Sequence, residues 1–283
     1  MHDSSKLLTG LKFKQTLRYG ENPQQQATWC VYPEHGLSSS NQLQGKDLSY
    51  NNLIDLDAAV STVKEFPDEP AAVVIKHTNP CGVAIGKTID SALTRALDSD
   101  TVSCFGGIIA LNREVNTECA NEIIGAFYEC IVAPSFSNEA KEILAAKKNL
   151  RLLELDIDNI QLKPYNVRSI LGGVLVQEKD NDPVNIDDWK VVSERQPTDQ
   201  ERIDLTFAWK VCRHVRSNAI LVASDGATLG VGAGQMNRVG SAKIALEAYT
   251  QVSGAALASD GFFPFGDTVR PVSYTHLPLP TKA

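Results

Sequence analysis

The stretch of residues 71–82 (AAVVIKHTNPCG) carries the side chains best suited to chemistry in this sequence. It begins as a continuous apolar run, which predicts a strand buried on both faces of a parallel sheet. Lys76 and His77 follow, before Pro80 and Gly82, which we expect to end the strand. A cation beside a titratable imidazole suits proton transfer with an anionic substrate. A strand-end lysine next to a loop histidine without a function fits these residues equally well.

Three other segments contain residues that could bind a ligand, and each also has a structural explanation. Arg18 could hold a phosphate with Tyr19 beside it, or lie in a solvated surface turn. The glycines of residues 229–235 suit backbone amides that approach an anion, although they match neither the dinucleotide fingerprint nor the P-loop. The phenylalanines of residues 262–265 could form a wall for a planar ligand or a buried turn.

Composition restricts the class of protein. The 283 residues are 43% hydrophobic and 22% charged, which allows a large core in one or two domains. A net charge of −7 argues against a general nucleic-acid or anionic-membrane surface. No apolar run approaches the length of a membrane span, and residues 1–6 lack the apolar core of a signal peptide. Six scattered cysteines without a CxxC motif favour reduced thiols in a cytoplasmic protein over disulfides or zinc.

Alternating helices and strands are expected to position these residues. Apolar spacing and capping residues predict helices over residues 52–66, 90–97, 116–128, 137–148, 198–215 and 241–249. Strands are predicted over 71–75, 104–111, 129–134, 150–155, 173–177 and 219–223. This alternation predicts an α/β fold with a largely parallel sheet.

Several motifs occur in the same order as in a known family. They are residues 18–23 (RYGENP), 43–46 (LQGK), 48–52 (LSYNN), 76–82 (KHTNPCG), 105–107 (FGG), 217–220 (SNAI), 232–236 (GAGQM) and 259–267 (SDGFFPFGD). Together they closely resemble the bacterial-type transformylase domain of the bifunctional AICAR transformylase/IMP cyclohydrolase family. The resemblance covers roughly residues 10–270, and it makes a functional role of Lys76 and His77 the stronger interpretation.

The resemblance implies transfer of a formyl group from 10-formyltetrahydrofolate to the 5-amino group of AICAR (5-aminoimidazole-4-carboxamide ribonucleotide), without a metal. It also implies a homodimer, and two related α/β lobes that resemble cytidine deaminase but lack its zinc. By matching position, the implied catalytic residues are His77, Lys76 and Asn218. The implied nucleotide contacts are Arg18, Tyr19, Gly106, Glu129, Arg238 and Phe262, and the implied folate contacts are Val239 and Asp267.

The sequence departs from this family near both ends. The family's amino-terminal cyclohydrolase domain and its strands beyond the phenylalanine segment have no counterpart here, and Gly266 stands where the family usually has Arg. We therefore predict a first lobe over residues 1–155, a connecting region over 156–197, a second, truncated lobe over 198–270 and a non-native tail over 271–283. That tail resembles translated sequencing-adapter sequence, and the alternative is a natural disordered tail.

Two other functions compete with formyl transfer. A zinc-dependent nucleoside deaminase requires His-x-Glu and Pro-Cys-x-x-Cys, but Thr78 and Asn79 follow His77, and Ala84 stands where the second Cys belongs. The other candidate is an inactive fragment that only binds a nucleotide or a partner, since the lost strands would leave sheet edges uncovered.

Overall fold

The computed structural model describes residues 10–32, 35–160, 165–180, 182–247, 254–263 and 266. The strands are β1 (Lys12–Leu17), β2 (Ala27–Val31), β3 (Asn41–Gln44), β4 (Ala71–Lys76), β5 (Asn79–Ile85), β6 (Ile108–Leu111), β7 (Cys130–Ala133), β8 (Arg151–Glu154), β9 (Tyr165–Ile170), β10 (Gly173–Glu178), β11 (Ile220–Ser224), β12 (Ala227–Gly232) and β13 (Ala256–Ser259). The helices are α1 (Tyr50–Val63), α2 (Ile89–Asp98), α3 (Thr117–Ile124), α4 (Asn138–Leu144), α5 (Asp199–Cys212) and α6 (Arg238–Glu247). The α/β class expected from the sequence is confirmed.

Nine of these strands form one mixed sheet, in the order β13-β11-β12-β5-β4-β6-β7-β8-β3. Only β7 has parallel neighbours on both sides, β6 and β8, and the other neighbouring pairs of this described sheet are antiparallel. The prediction of a largely parallel sheet is therefore wrong. The cause is that β4 returns at once as β5 in a hairpin, and β4 also runs antiparallel to β6.

Helices cover both faces of this sheet, which explains the unbroken apolar run of β4. Ala71, Val73 and Ile75 belong to the hydrophobic cluster that α1 and α5 share, while Ala72 and Val74 belong to the cluster of α2, α3 and α4. On β11 the same alternation holds, with α6 covering the second face. An apolar run of this kind indicates that both faces of the strand are buried, but it does not indicate the direction of the neighbouring strands.

Pro80 and Gly82 lie inside a strand, contrary to the prediction that they end one. As expected, β4 stops at Lys76, but His77 and the next residue form only a two-residue turn before β5 begins. A shift in register, with Ile75 opposite Pro80 and Val74 opposite Gly82, leaves one extra residue in β5. Proline is tolerated at such bulges because a ladder hydrogen bond is already missing there.

The order helix–strand–strand–helix–strand occurs twice in the chain, first as α1-β4-β5-α2-β6 and then as α5-β11-β12-α6-β13. In each copy the first strand pairs antiparallel with both other strands. The fourth residue of the second strand is a glycine in both copies, Gly82 and Gly230. A Cβ there would lie 1.8 Å from the Ala96 carbonyl oxygen of α2, or 1.9 Å from that of Ala245 in α6. The two copies therefore share a close contact between strand and helix.

The predicted helices are confirmed, with several shorter carboxyl ends. Asn116, Ser137 and Thr198 cap α3, α4 and α5 as expected, the last with Glu201 in a capping box. The helices end at Ile124, Leu144 and Cys212, before the predicted residues 128, 148 and 215. Within the described residues, no helix combines the length and the apolar character needed to cross a membrane.

Two small sheets lie apart from the main one. β1 pairs with β2, and β9 pairs with β10, both antiparallel. The sequence predicted β10 but not β9, so the connecting region contains a hairpin. Residues 271–283, predicted as a non-native tail, lie outside the described residues.

The glycine contact between β5 and α2 gives a test of the fold. We expect Gly82→Ala to lower the free energy of unfolding by about 3 kcal/mol or more, because the new methyl group would overlap the Ala96 carbonyl. Gly173→Ala is the control, since no atom lies within 4 Å of a Cβ built there, and it should change stability by less than about 0.5 kcal/mol. Urea unfolding measures both, and equal midpoints for the two variants would contradict this packing.

Candidate functional site

The predicted site segments that the structure describes lie along one side of the nine-stranded sheet. This side is formed by the ends of the strands, not by an edge strand. β4 ends on this side with Lys76, and β5, β6, β7 and β8 begin there, as the registers of these strands require. Glu129 directly precedes β7. From the second copy, Asn218 lies just before β11, and β12 and β13 end on the same side, since Ile220 pairs with Gly232 and with Ser259. We call this side the site edge.

Lys76 and His77 occupy the tip of the β4–β5 hairpin at the site edge. The Lys76 ammonium donates a hydrogen bond to the Phe105 carbonyl oxygen at 2.8 Å, and His77 is exposed. His77 and Thr78 have positive φ angles of 52° and 63°. The two residues can therefore serve one site, because the strand has ended before the imidazole is reached.

Asp55 of α1 lies under this turn. Its Oδ1 accepts the Thr78 backbone N–H at 2.7 Å, and the backbone N–H of His77 faces the same carboxylate and lowers its pKa. Burial raises the pKa of Asp55 above its usual value, and these two N–H groups and the charge of His77 oppose that rise only in part. The half-buried carboxylate is thus bound to the backbone of the turn that carries His77.

Gly106 lies in the loop that receives Lys76. It has a φ of 76°, a conformation that favours glycine, and its N–H donates to the Phe127 carbonyl oxygen at 2.7 Å. The rings of Phe105 and Phe127 have centroids 5.5 Å apart and are 58% and 49% exposed. This loop therefore presents aromatic surface and a closely approachable backbone at the site edge.

Glu129 is held from two sides. Asn52 donates through Nδ2 to Glu129 Oε2 at 2.7 Å, and Arg151 Nη1 lies 3.6 Å from the same oxygen. Asn52 also caps α1, because its Oδ1 accepts the Ser49 backbone N–H. Since the Glu129 side chain is 41% exposed, it can still accept hydrogen bonds from a ligand.

Arg18 and Tyr19 lie in a turn beside the start of α1. β1 ends one residue before Arg18, and the Arg18 guanidinium carbon is 5.6 Å from the centre of the Tyr19 ring. Asn51 donates from α1 to the Glu21 carbonyl oxygen at 3.3 Å, which connects this turn to the helix end that carries the Asn52–Glu129 pair. Arg18 itself is exposed.

The loop before β11 is joined to the β4–β5 turn. Asn79 Oδ1 accepts the backbone N–H of Arg216 at 3.0 Å. Asn218 follows a cis peptide bond, and its Nδ2 donates to the Gln235 carbonyl oxygen at 2.8 Å. Because an amide NH₂ has two hydrogens, Asn218 keeps a second donor beyond this bond.

Arg238 is engaged within the protein. Its guanidinium forms an ion pair with Asp260 and donates to Ser259 Oγ at 2.9 Å. Burial alone would raise the pKa of Asp260, but hydrogen bonds from Ser217, from the Ala219 N–H and from Arg238 outweigh it and hold that pKa below its usual value. The predicted nucleotide contact at Arg238 therefore also fixes the end of β13.

The remaining predicted contacts flank Arg238. Phe262 is 73% exposed, and the neighbouring Gly261 lies against the Arg238 guanidinium. Val239 is the second residue of α6 and is half-buried. Asp267 lies outside the described residues, so its predicted folate contact remains a prediction.

Sequence reasoning missed the residues that support the site. Asn52 and Asn79 lie within motifs that it noted, and Asp55 lies in a predicted helix, but no local pattern shows that their side chains bind a carboxylate, a distant loop or a turn. Gln44 is the opposite case, a motif residue whose contacts are structural. It belongs to the LQGK motif, yet its Nε2 donates to carbonyl oxygens between α4 and β8, including that of Lys147 at 3.0 Å. That motif shapes the sheet.

A cavity of about 570 Å³, lined by none of the predicted site residues, lies between α1, the end of α5 and the connecting region. Four of its charged side chains pair with one another: His214 Nε2 lies 2.8 Å from Glu65, and Arg213 binds both Glu65 and Asp180. Within the described ranges, no three His, Cys, Asp or Glu side chains are grouped so that they could hold a metal ion. The convergence of polar side chains at the site edge, more than this cavity, indicates the functional site.

Comparison with known proteins identifies the family of this chain. A family model described as AICARFT/IMPCHase bienzyme matches residues 2–248. The chain is 61% identical over 274 residues to the bifunctional purine biosynthesis protein PurH of Parasynechococcus marenigrum (strain WH8102), covering 94% of this chain and 53% of that protein. It is 59% identical over 274 residues to the PurH of Synechococcus sp. (strain CC9605), covering 93% and 53%.

The chain spans about half the length of the curated relatives it matches. The family model, by contrast, covers most of the chain. On the strength of that match and of the identity to the two relatives, the chain belongs to the AICARFT/IMPCHase bienzyme family.

Proposed function

We propose that this chain is an AICAR formyltransferase, which transfers a formyl group from 10-formyltetrahydrofolate to the 5-amino group of AICAR in purine biosynthesis. The observation that carries the proposal is the position of Lys76 and His77 at the tip of a hairpin on the site edge, with Glu129 and Asn218 at the same edge. The name of the relatives, a bifunctional purine biosynthesis protein, supports the same reaction.

His77 is the base in this proposal. The 5-amino group of AICAR is a poor nucleophile, because its lone pair is drawn toward the neighbouring carboxamide. An imidazole that accepts the amine proton during attack removes this obstacle. His77 suits the role because it is exposed at the tip of the turn, where a ligand on the site edge would meet it.

Lys76 and Asn218 complete the proposed catalytic group. The folate co-substrate supplies the formyl group when it is bound. The Lys76 ammonium, fixed by the Phe105 carbonyl, stabilises negative charge on the formyl oxygen or gives a proton to the departing nitrogen. The second N–H of Asn218 orients the formyl oxygen, since the first is used on Gln235.

The other site residues are proposed to bind the two substrates. Arg18 offers a guanidinium fork to the nucleotide phosphate, and Glu129 offers a carboxylate to nucleotide hydroxyl groups. Tyr19, Gly106, Arg238 and Phe262 provide further nucleotide contacts, and Val239 and Asp267 contact the folate. The exposed rings of Phe105, Phe127 and Phe262 fit this assignment, because both substrates contain planar heterocycles.

The wider organisation is proposed on the same basis. The repeated helix–strand–strand–helix–strand order supports two related, cytidine-deaminase-like lobes, over residues 1–155 and 198–270 with 156–197 between them. Residues 271–283 form the proposed non-native tail. The cyclohydrolase activity would belong to another part of the whole protein, which we propose to be a cytoplasmic homodimer.

A formyl-transfer assay tests the proposed function directly. Purified protein expressed from the complete gene, with the 283-residue chain in parallel, should form tetrahydrofolate only when both AICAR and 10-formyltetrahydrofolate are present. AICAR binding by calorimetry without turnover in either protein would favour the binding-only alternative. Release of ammonia from a nucleoside by a zinc-loaded sample would favour the deaminase instead.

The role of His77 predicts a selective loss of turnover. We expect His77→Ala to lower kcat by roughly 100-fold or more, because the proton acceptor is removed, while calorimetry should show an unchanged Kd for AICAR. His214→Gln is the control, since His214 pairs with Glu65 and lines a cavity that contains none of the predicted site residues. Unchanged turnover in the His77 variant would exclude it as the base.

The role of Glu129 predicts the opposite kinetic pattern. We expect Glu129→Ala to raise the KM for AICAR by about 10-fold with a smaller change in kcat, because a charged hydrogen bond that binds the ground state is lost. Glu154→Gln is the control, as Glu154 ends β8 at the far edge of the sheet. A kcat that falls while KM stays constant would argue against a binding role.

A further inference from the structure

The β4–β5 turn has a backbone that its own residues do not favour. Two-residue hairpin turns with positive φ at both positions are dominated by Asn-Gly and Asp-Gly sequences. Here the residues are His77 and Thr78, with φ of 52° and 63°. Because threonine is β-branched, it adopts this conformation only when its surroundings impose it. The turn therefore depends on contacts from outside the hairpin.

Asp55 supplies such contacts. Its carboxylate accepts the Thr78 N–H at 2.7 Å, and the neighbouring His77 N–H lies close enough to lower the pKa of the same carboxylate. Asp55 is half-buried and is anchored in α1, which is capped by Ser49 and packs against β4. The turn is thus fastened to a rigid helix.

The second copy of the repeat has an aspartate at the corresponding position, beside a turn that has no proposed role in chemistry. Asp204 is the sixth residue after the Thr198 cap of α5, just as Asp55 is the sixth after the Ser49 cap of α1. The backbone N–H groups of Asp225 and Gly226 lie close enough to Asp204 to oppose the rise in its pKa that burial causes. That turn lies at the sheet edge opposite the site, and it has the ordinary Asp-Gly sequence. In the first copy, His-Thr takes the place of this favourable pair.

We infer that Asp55 is a positioning residue for His77. By accepting the Thr78 N–H of the turn, its carboxylate holds His77 and Thr78 in the left-handed conformation that presents the imidazole at the site edge. The inference rests on the proposed role of His77 in formyl transfer. It assigns Asp55 no contact with either substrate.

Three variants test this inference: Asp55→Ala, Asp55→Asn and, as the control in the second copy, Asp204→Ala. We expect Asp55→Ala to lower kcat roughly 100-fold, as misplacement of a catalytic group does, with the KM for AICAR within about 3-fold of wild type. Asp55→Asn keeps an acceptor oxygen and should retain kcat within about 10-fold. Asp204→Ala should lower the Tm but leave kcat unchanged below the unfolding transition.

Hydrogen exchange of the Thr78 amide provides a readout that needs no activity. We expect exchange to become about 10-fold faster or more in Asp55→Ala, and to stay slow in Asp55→Asn and Asp204→Ala. Fast Thr78 exchange with normal kcat would overturn the inference, as would equal loss of kcat in Asp55→Asn and Asp55→Ala. If wild type transfers no formyl group, the proposed function fails. The exchange arm then decides by itself whether Asp55 holds the turn: unchanged Thr78 exchange in Asp55→Ala overturns that claim.

Discussion

The burial of β4 on both faces is the constraint on which the site depends. Ala71 to Val74 are fully buried and Ile75 is nearly so, while the edges of the strand are paired with β5 and β6. A polar side chain within this strand would lose its water without gaining a partner. Chemistry can therefore appear only where the strand ends, and the first polar residues there are Lys76 and His77. The same reasoning applies to Glu129 before β7 and Asn218 before β11.

Four of the proposed catalytic and binding groups are held by other residues of the protein before any ligand arrives. Lys76 is fixed by a carbonyl oxygen, Glu129 by Asn52, Asn218 by Gln235 and Arg238 by Asp260. Groups oriented in this way need little reorganisation when charge develops during a reaction. Each of these partners sits on a helix, or in a loop at the end of a strand, that is anchored in the core. The precision of the site is thus a consequence of the packing of the sheet.

The sequence predicts the parts of this structure that depend on local interactions. Ser137 and the Thr198–Glu201 pair mark helix starts because capping is a contact between near neighbours. The direction of β4 could not be predicted, since burial on both faces produces the same apolar run in either orientation. The sequence did not indicate the β4–β5 hairpin, because His77 and Thr78 are not residues that this type of turn favours. The sequence did not indicate the role proposed for Asp55, because its contact with Thr78 joins residues that are 23 positions apart in the chain.

The duplication of the helix–strand–strand–helix–strand unit explains the asymmetry of the site. β4 and β11 occupy corresponding places in the two copies but run in opposite directions across the sheet, since β11, β12, β5 and β4 are successively antiparallel. The first copy therefore brings its hairpin turn to the site edge, while the second brings the loop that begins β11 and the ends of β12 and β13. Two copies of one unit thus offer different surfaces at a single edge. The proposed reaction between a nucleotide and a folate would use that difference, because its two substrates have unlike shapes and charges.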